Sequence, residues 1–377
     1  MSNQSPKERS PGLRMGRPFG IPVYVSPTWL IVAAFITYTF QPIVLAYLPW
    51  LSQATGYAVA FVFAVFLYVS VFLHELAHCV VALRFGLPVR RITLYLLGGV
   101  SEIEREPDSP GKEFLVAFAG PLLSLGLAVG GYIVYRFVSP FTVVGVLVQQ
   151  LWLSNLIVGI FNLLPGLPLD GGRMLRAGVW KLTRSPGSGT VAAAWVGRVL
   201  AVALVGVPLG ITLITGQDQE ITFLLWSVLL ASFIWMGASQ SLRVARVRAR
   251  IPLVRARELA RPAIAVPAEL PLAEALRRAQ EAGARAIVVA DHEGRPVAIV
   301  NEAAVSATPE RRRPWISTAT VARSLGPELV LAADLEGEPL IDAMRRSPAA
   351  EYLLVERGGE VYGVLVTADV NRMFTGV

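Results

Sequence analysis

Residues 74–78 read His-Glu-Leu-Ala-His and stand at the end of a long apolar stretch. No Asp, Glu, Lys or Arg occurs in residues 26–73, which is enough chain for two helices of about 20 residues, the length that crosses the hydrocarbon core of a bilayer. Ionisable residues inside a membrane span are costly and usually serve a function. This stretch therefore predicts a membrane-embedded chain with a functional site inside it.

The whole composition agrees with a membrane protein. Apolar residues make up 54% of the 377 residues and charged residues 16%, against roughly 45–50% and 25% in soluble domains. These values exclude a disordered chain and a collagen-like fibre, and a single cysteine excludes an internal disulfide. Apolar runs predict six spans, at about residues 27–47, 55–85, 113–136, 142–164, 198–216 and 220–242.

The loops between these spans differ in charge. Basic residues occupy the N-terminal segment, the loops after spans two and four, and the segment after span six, whereas residues 49–56 and 216–220 contain no Lys or Arg. The positive-inside rule then predicts a multi-pass plasma-membrane protein with both termini in the cytoplasm. Basic flanks beside anionic lipid account for the net charge of +7, so no nucleic-acid partner is expected. Arg198 is predicted at the cytoplasmic entrance of span five.

Two of the three histidines can share one metal ion. His74 and His78 are four residues apart, so a helix places both imidazoles on one face, where they can bind zinc while Glu75 acts on the metal's water. The alternative is a buried polar cluster that hydrogen-bonds to neighbouring helices, which is an expensive arrangement in hydrocarbon. Cys79 is turned about 100° from this face and is predicted to be a packing residue.

Zinc in a catalytic site takes a third protein ligand and keeps one position open. Asp170 is the only other acidic residue in the apolar region, in the sequence Asn-Leu-Leu-Pro-Gly-Leu-Pro-Leu-Asp-Gly-Gly-Arg of residues 162–173. Its prolines break a helix, and irregular backbone at membrane depth survives where it lines protein or a wet cavity. We predict that Asp170 is the third ligand. The alternative is that it caps a helix starting near Gly171.

These motifs, together with Phe-Ala-Gly-Pro at residues 118–121, resemble the site-2 protease family of intramembrane zinc metalloproteases over about residues 18–245. The resemblance implies that His74, His78 and Asp170 bind zinc, that Glu75 is the general base and that Asn162 contacts the substrate backbone. It also implies the substrate class, which is single-span membrane-anchored regulators such as an anti-sigma factor, cleaved in or near the transmembrane segment.

A hairpin is predicted between spans two and three. Residues 89–104 alternate in polarity through Ile92, Leu94 and Leu96, and two glycines at 98 and 99 can turn the chain. Family members have a similar membrane-associated sheet, and its free edge would pair with an extended substrate by strand addition. The alternative is an ordinary connecting hairpin.

The composition after Arg250 is that of a soluble domain, with two similar halves of helix, strand, turn and strand. This repeat resembles a tandem CBS-domain pair, which implies adenine-nucleotide binding. The first half lacks the aspartate of the nucleotide motif and the second keeps it as Asp369. The alternative is a dimerisation or gating module without a ligand, and a homodimer through this module is a reasonable expectation. His292 lies in a turn and is predicted to be solvated.

The predicted fold class is a polytopic α-helical membrane protein with six transmembrane helices and a membrane-associated β-hairpin, followed by a cytoplasmic α/β CBS pair. The predicted domains are a tail at residues 1–20, a metalloprotease domain at 21–246 and a regulatory module at 252–377. The predicted function is intramembrane zinc proteolysis, with the CBS pair as a possible gate. Two alternatives remain: a non-proteolytic metal-binding protein or transporter, and a nucleotide sensor with an inactive membrane anchor.

Overall fold

The computed structural model describes residues 12–95, 98–216 and 221–375. These residues separate into two compact units that divide after Arg243. We call residues up to 243 the membrane unit and residues from 244 the C-terminal unit.

Six helices are long and apolar enough to cross a membrane, which confirms the predicted fold class. They are α1 (Trp29–Tyr47), α2 (Gln53–Arg84), α3 (Pro110–Tyr135), α4 (Val143–Asn162), α6 (Pro186–Thr215) and α7 (Ile221–Arg250), with the shorter α5 (Asp170–Thr183) between α4 and α6.

The fifth span begins earlier than the sequence suggested. Helix α6 starts at Pro186, with Ser185 Oγ accepting a hydrogen bond from the Ser188 amide. The predicted start was residue 198, where Arg198 was taken as the membrane boundary. Residues 186–197 are mostly small, and the helix that begins there continues past the charged Arg198. Arg198 consequently lies about three turns inside α6, and its place at the cytoplasmic entrance of the span stays a prediction.

A four-stranded sheet lies beside α2. Its strands are β1 (Leu13–Gly16), β2 (Val23–Val25), β3 (Val89–Tyr95) and β4 (Gly98–Ile103), in that order across the sheet. Strands β3 and β4 form the predicted antiparallel hairpin, whose Leu96 falls outside the described residues. Strand β4 pairs only with β3 among the described strands, so its other edge is free.

The first two strands were not anticipated. The segment to residue 20 was predicted to be a tail, but residues 13–16 pair antiparallel with β2, and β2 pairs parallel with β3. Strand β1 is mostly exposed and contains a basic residue, so it has no alternating pattern that would have shown it. Residues of β2 and β3 pack on α2 around Cys79, which is 0% exposed, as expected of a packing residue.

The connection from α4 to α5 is built by close backbone contacts. A Cβ on Gly171 would clash with the backbone of Leu163, and one on Gly172 would clash with the backbone of Leu167. Helix α5 therefore begins in a tight loop that only glycine permits at these two positions. This contact sets where Asp170, the first residue of α5, enters the membrane unit.

The C-terminal unit contains the predicted repeat. Each half has a strand, a helix, a parallel strand, an antiparallel strand and a final helix. Residues from both halves share one buried cluster: Val288, Ile299, Leu353 and Val364. The elements are α8 (Ala256–Leu259), β5 (Ala263–Pro267), α9 (Leu272–Glu281), β6 (Ala286–Ala290), β7 (Pro296–Val300), α10 (Glu302–Ala307), β8 (Ala322–Ser324), β9 (Val330–Ala332), α11 (Gly337–Arg346), β10 (Glu351–Val355), β11 (Val361–Val366) and α12 (Thr367–Thr375).

Candidate metal centre

Three side chains from α2 and α5 converge inside the membrane unit. His74 Nε2 and His78 Nε2 lie 3.1 and 3.2 Å from Asp170 Oδ2, and the two nitrogens are 3.2 Å apart. Both histidines are buried, at 5% and 3% exposure. The structure thus brings together the three residues that the sequence predicted as ligands, across 96 positions of chain.

Helix α3 fixes the orientation of both imidazoles. His78 Nδ1 lies 2.7 Å from the Val116 carbonyl oxygen, which can only accept, so Nδ1 carries the proton and Nε2 keeps its lone pair. His74 Nδ1 lies 2.9 Å from Ser124 Oγ, which fixes the ring orientation, although a hydroxyl can either donate or accept. Between these contacts, a Cβ on Gly120 would meet the Nε2 atoms of both histidines. The glycine of residues 118–121 therefore lets α3 approach the centre.

The donor set fits a zinc ion. Two imidazole nitrogens and a carboxylate oxygen are typical zinc ligands, and their lone pairs face one another here. Ligands at tetrahedral positions with bonds of about 2.0–2.1 Å are about 3.3 Å apart, close to the observed separations. The capping alternative explains less. In that alternative Asp170 would be the N-cap, but α5 takes Leu169 as its N-cap with no side-chain cap bond.

Glu75 is held by a residue that the sequence analysis missed. Ser101 Oγ on β4 donates to Glu75 Oε2 at 2.6 Å, and no described residue bonds to Oε1. A Cβ on Gly99 would clash with the Glu75 side chain, so β4 packs directly against it. The hairpin prediction placed Ser101 on a strand, but only the register of β4 over α2 shows its contact with Glu75.

A cavity of about 1030 Å³ surrounds the centre. Its wall includes the three candidate ligands, Glu75, residues 98–101 of β4 and apolar side chains of α6 and α7. Asn162, the last residue of α4, also lines this cavity. Every site residue predicted in the membrane region therefore lines one space.

A buried ion pair ties α5 to α3. Glu113 is 0% exposed and accepts a hydrogen bond from Arg173 Nε at 3.1 Å, with Arg176 Nη1 at 3.7 Å. Arg173 is three residues after Asp170, so the pair holds the turn that carries the candidate ligand. The sequence analysis used Glu113 only as the start of span three. The feature that could have indicated a buried ion pair was a lone carboxylate at the edge of an apolar run.

Glu113→Gln is expected to destabilise the membrane unit, because it leaves Arg173 partly buried without its counter-charge. Breaking a buried pair costs about 3–5 kcal/mol, so we expect a clearly lower thermal midpoint and a lower zinc content. Thermal unfolding in detergent and metal analysis measure both. Asp108→Asn is the matched control, since Asp108 pairs with Lys112 at the exposed surface and such pairs contribute about 0–1 kcal/mol. Equal midpoints for the two variants would contradict this role.

In the C-terminal unit, Asp369 is already engaged. Arg261 donates to both of its carboxylate oxygens, at 2.7 and 3.2 Å, and Arg372 also contacts it. These residues line a cavity of about 1010 Å³ together with Glu302. A nucleotide that used Asp369 would have to displace Arg261. His292 is exposed in the turn between β6 and β7, in agreement with its predicted solvation.

Comparison with known proteins identifies the relatives of this chain. The model of "Peptidase family M50" matches residues 62–151 and 141–206. A putative zinc metalloprotease of Synechocystis sp., sll0528, is 30% identical over 367 residues, which cover 96% of this chain and 94% of that protein. The site-2 protease from Methanocaldococcus jannaschii is 29% identical, covering 61% of this chain and 94% of its own, with a TM-score of 0.43.

The C-terminal unit is similar to the CBS domain of a bacterial CNNM/CorC family Mg²⁺ transporter, at 16% identity and a TM-score of 0.29, over 43% of this chain and 98% of that one. The match to the protein from Synechocystis sp. covers 96% of this chain at 30% identity, which shows that the two proteins belong to one family. This chain carries a His-Glu-x-x-His helix, an aspartate that converges on its two histidines and six helices long and apolar enough to cross a membrane. The chain is therefore a multi-pass membrane zinc metallopeptidase that belongs to peptidase family M50, the site-2 protease family.

Proposed function

We propose that the protein hydrolyses peptide bonds in or near the transmembrane segments of single-span, membrane-anchored regulators, of which an anti-sigma factor is one example. In this proposal His74, His78 and Asp170 hold one zinc ion and Glu75 is the general base. The observation that carries the proposal is the convergence of three ligand atoms in the cavity that Glu75 also lines.

Zinc, when bound there, supplies Lewis acidity that makes a bound water acidic and stabilises developing negative charge on an oxygen. Glu75 accepts the proton of the attacking water and later delivers it to the leaving amine. Ser101 occupies Oε2, so Oε1 is the oxygen left to exchange protons. The Nδ1 contacts to Ser124 and Val116 hold both rings with Nε2 turned toward the ligand position, and the Val116 carbonyl also keeps the lone pair of His78 on Nε2.

The sheet edge supports a way to present substrate. A transmembrane helix hides its amides in internal hydrogen bonds, so a segment must unwind before it can be cut. The free edge of β4 lies along the cavity wall, where an extended substrate could add as a further strand. Asn162, which also lines the cavity, offers a carboxamide donor and acceptor to the substrate backbone.

The proposal extends to topology and regulation. Basic residues at the ends of α2 and α7 support a plasma-membrane location with both termini in the cytoplasm. We propose that residues 21–246 form the protease domain and that residues 252–377 regulate it, by gating or by forming a homodimer. The Arg261–Asp369 pair favours a ligand-free role over nucleotide binding for this module.

The test is cleavage by the full chain in lipid nanodiscs, with a panel of single-span substrates of different juxtamembrane sequence. We expect zinc-dependent cleavage of a subset, with cut positions mapped by mass spectrometry to the membrane segment or its border. Stoichiometric zinc with no cleavage across a broad panel would favour the alternative of a metal-binding protein or transporter.

Ser101→Ala is expected to lower kcat by about tenfold or more, a loss typical of removing a partner that orients a functional group. Zinc content should stay at one per chain, since Ser101 does not contact a candidate ligand. Ser101→Thr keeps the hydroxyl and should restore most of the rate. If the Ala and Thr variants lose activity equally, the hydroxyl does not act through Glu75.

A further inference from the structure

A cationic side chain lies on α6, on the side turned away from the metal-centre cavity. Leu200 and Val207 of α6 line that cavity. At 100° per residue, Arg198 is about 180–200° around the helix from them. Arg198 therefore faces neither the metal centre nor the substrate space, and its role must be sought on the outer side of α6 and α7.

Two indole rings flank the Arg198 guanidinium. Its Cζ atom lies 5.0 Å from the ring centroid of Trp195 on α6 and 4.9 Å from that of Trp235 on α7. Arg198 Nη2 donates to Ser239 Oγ at 3.1 Å. Trp195 is 54% exposed and Trp235 44% exposed, so this group lies on a surface that faces lipid in a membrane-spanning helix pair. We call these four residues the Arg198 cluster.

The positive charge of the cluster is not neutralised by the part of the chain that the structure describes. Within it, no carboxylate lies at ion-pair distance from Arg198, and Arg198 Nε is buried without a hydrogen-bond partner. A guanidinium has five N–H donors, and Ser239 satisfies one. In a membrane an unpaired guanidinium is costly, so the terminal Nη donors that Ser239 leaves free call for an acceptor from outside the protein, whereas Nε is closed off by burial.

The position of the cluster fits the lipid headgroup region. Ser239 is one helical turn, or about 6 Å, before Arg243, the first of the basic residues that end α7. A long arginine side chain at this depth reaches the interface while its stem stays in apolar surroundings. Exposed Trp rings prefer the same level, where one part of the ring is apolar and its N–H is wet.

We propose that the Arg198 cluster binds the phosphate of an anionic phospholipid in the leaflet at the Arg243 end of α7. A planar guanidinium gives a phosphate two parallel N–H donors together with a full positive charge. The two indoles provide apolar surface for the glycerol and first methylenes of the lipid. A carboxylate partner inside the protein would have made this site redundant, and the described chain supplies none.

The site also adjoins the loop that carries Asp170. A Cβ on Gly197, the neighbour of Arg198, would clash with Leu167, and one on Gly237 would meet the Pro168 ring. Both helices of the cluster thus pack directly on this loop. A lipid that bridges α6 and α7 is expected to stabilise the membrane unit, and its binding can be measured as thermal stabilisation.

The test uses the full chain in a neutral detergent, titrated with phosphatidylglycerol or phosphatidylcholine of matched acyl chains. We expect phosphatidylglycerol to raise the thermal midpoint, with one lipid retained per chain in native mass spectrometry. Arg198→Gln should raise the apparent Kd for phosphatidylglycerol by about tenfold or more, as expected for losing a charged hydrogen bond. Arg246→Gln is the matched control, because it removes one positive charge near the end of α7, while Arg246 stacks on no aromatic ring among the described residues.

Each other outcome has a definite meaning. Equal stabilisation by the two lipids, or loss of the effect in Arg246→Gln but not in Arg198→Gln, overturns the proposal in favour of diffuse attraction. If inorganic phosphate stabilises the protein equally, the site binds a free anion, and the proposal of a lipid ligand is overturned. If Arg198→Gln does not fold, brominated phosphatidylglycerol should quench wild-type tryptophan fluorescence more than its phosphatidylcholine counterpart. Trp195→Phe should lose part of that excess, because Trp235 remains beside the lipid, and its full retention overturns the proposal.

Discussion

Glu75→Gln is expected to abolish peptide-bond hydrolysis while zinc stays at one per chain. Glutamine has the size of glutamate and can still accept the Ser101 hydrogen bond through its carbonyl oxygen, but it cannot take a proton from water. General acid–base catalysis typically contributes about 10²–10⁴-fold, so cleavage should fall by at least that factor. Metal analysis and cleavage of one accepted substrate in nanodiscs measure both quantities on the same preparation.

The control for this variant is Glu104→Gln, which changes an exposed carboxylate just after β4. It should keep both zinc and activity. Loss of zinc in Glu75→Gln would mean that Glu75 is a ligand or supports one. Residual cleavage within a few-fold of wild type would remove Glu75 from the role of general base and leave the proton transfer to another group.

Asp170→Ala is expected to have the second largest effect, which is loss of the metal itself. The substitution removes one of three converging donor atoms and leaves two imidazoles 3.2 Å apart. Removing a residue that only hydrogen-bonds to a metal ligand weakens metal binding by about 10–100-fold. Removing a ligand should therefore weaken it by more than a hundredfold. Competition with a chelator of known affinity measures this change, and activity should disappear with the metal.

Asp170→Asn separates loss of the ligand from loss of the fold. Asparagine keeps the volume and one carbonyl oxygen, so we expect an intermediate zinc affinity and an unchanged set of six spans. Proteolytic mapping of loop accessibility checks insertion in each variant. Stoichiometric zinc in the Ala variant under chelator competition would take Asp170 out of the ligand set and revive the capping interpretation.

The sequence predicted the residues that converge at the metal centre better than the residues that support the centre. His74 and His78 were found because the helical period alone places them on one face, and Asp170 because few carboxylates occur in so apolar a region. The spacing of the histidines is a local signal, and the signal for Asp170 depends on the rarity of carboxylates in an apolar region. Ser101 and Glu113 were missed since serine is common and a carboxylate at a helix start is ordinary. Their roles come from contacts with Glu75 and Arg173 far along the chain.

The fold shows the same limit. Apolar runs of sufficient length predicted six spans, and residue alternation predicted the β3–β4 hairpin. The start of α6 was misplaced because the span was counted from the charged Arg198, whereas the helix itself begins at Pro186 with Ser185 as its N-cap. Strands β1 and β2 escaped prediction because strands of three or four residues are defined by the strands that they pair with and not by their own residues.

The packing of the sheet on α2 has a practical consequence. Cys79 is the only thiol of the chain, and it lies beneath β2 and β3, directly after His78. A buried thiol reacts only when its cover opens, so the alkylation rate of the unmodified protein reports how often the sheet lifts from the helix. The alkylation rate of Cys79 therefore measures how often the active-site helix becomes accessible. It can be measured with and without substrate, and no label needs to be introduced.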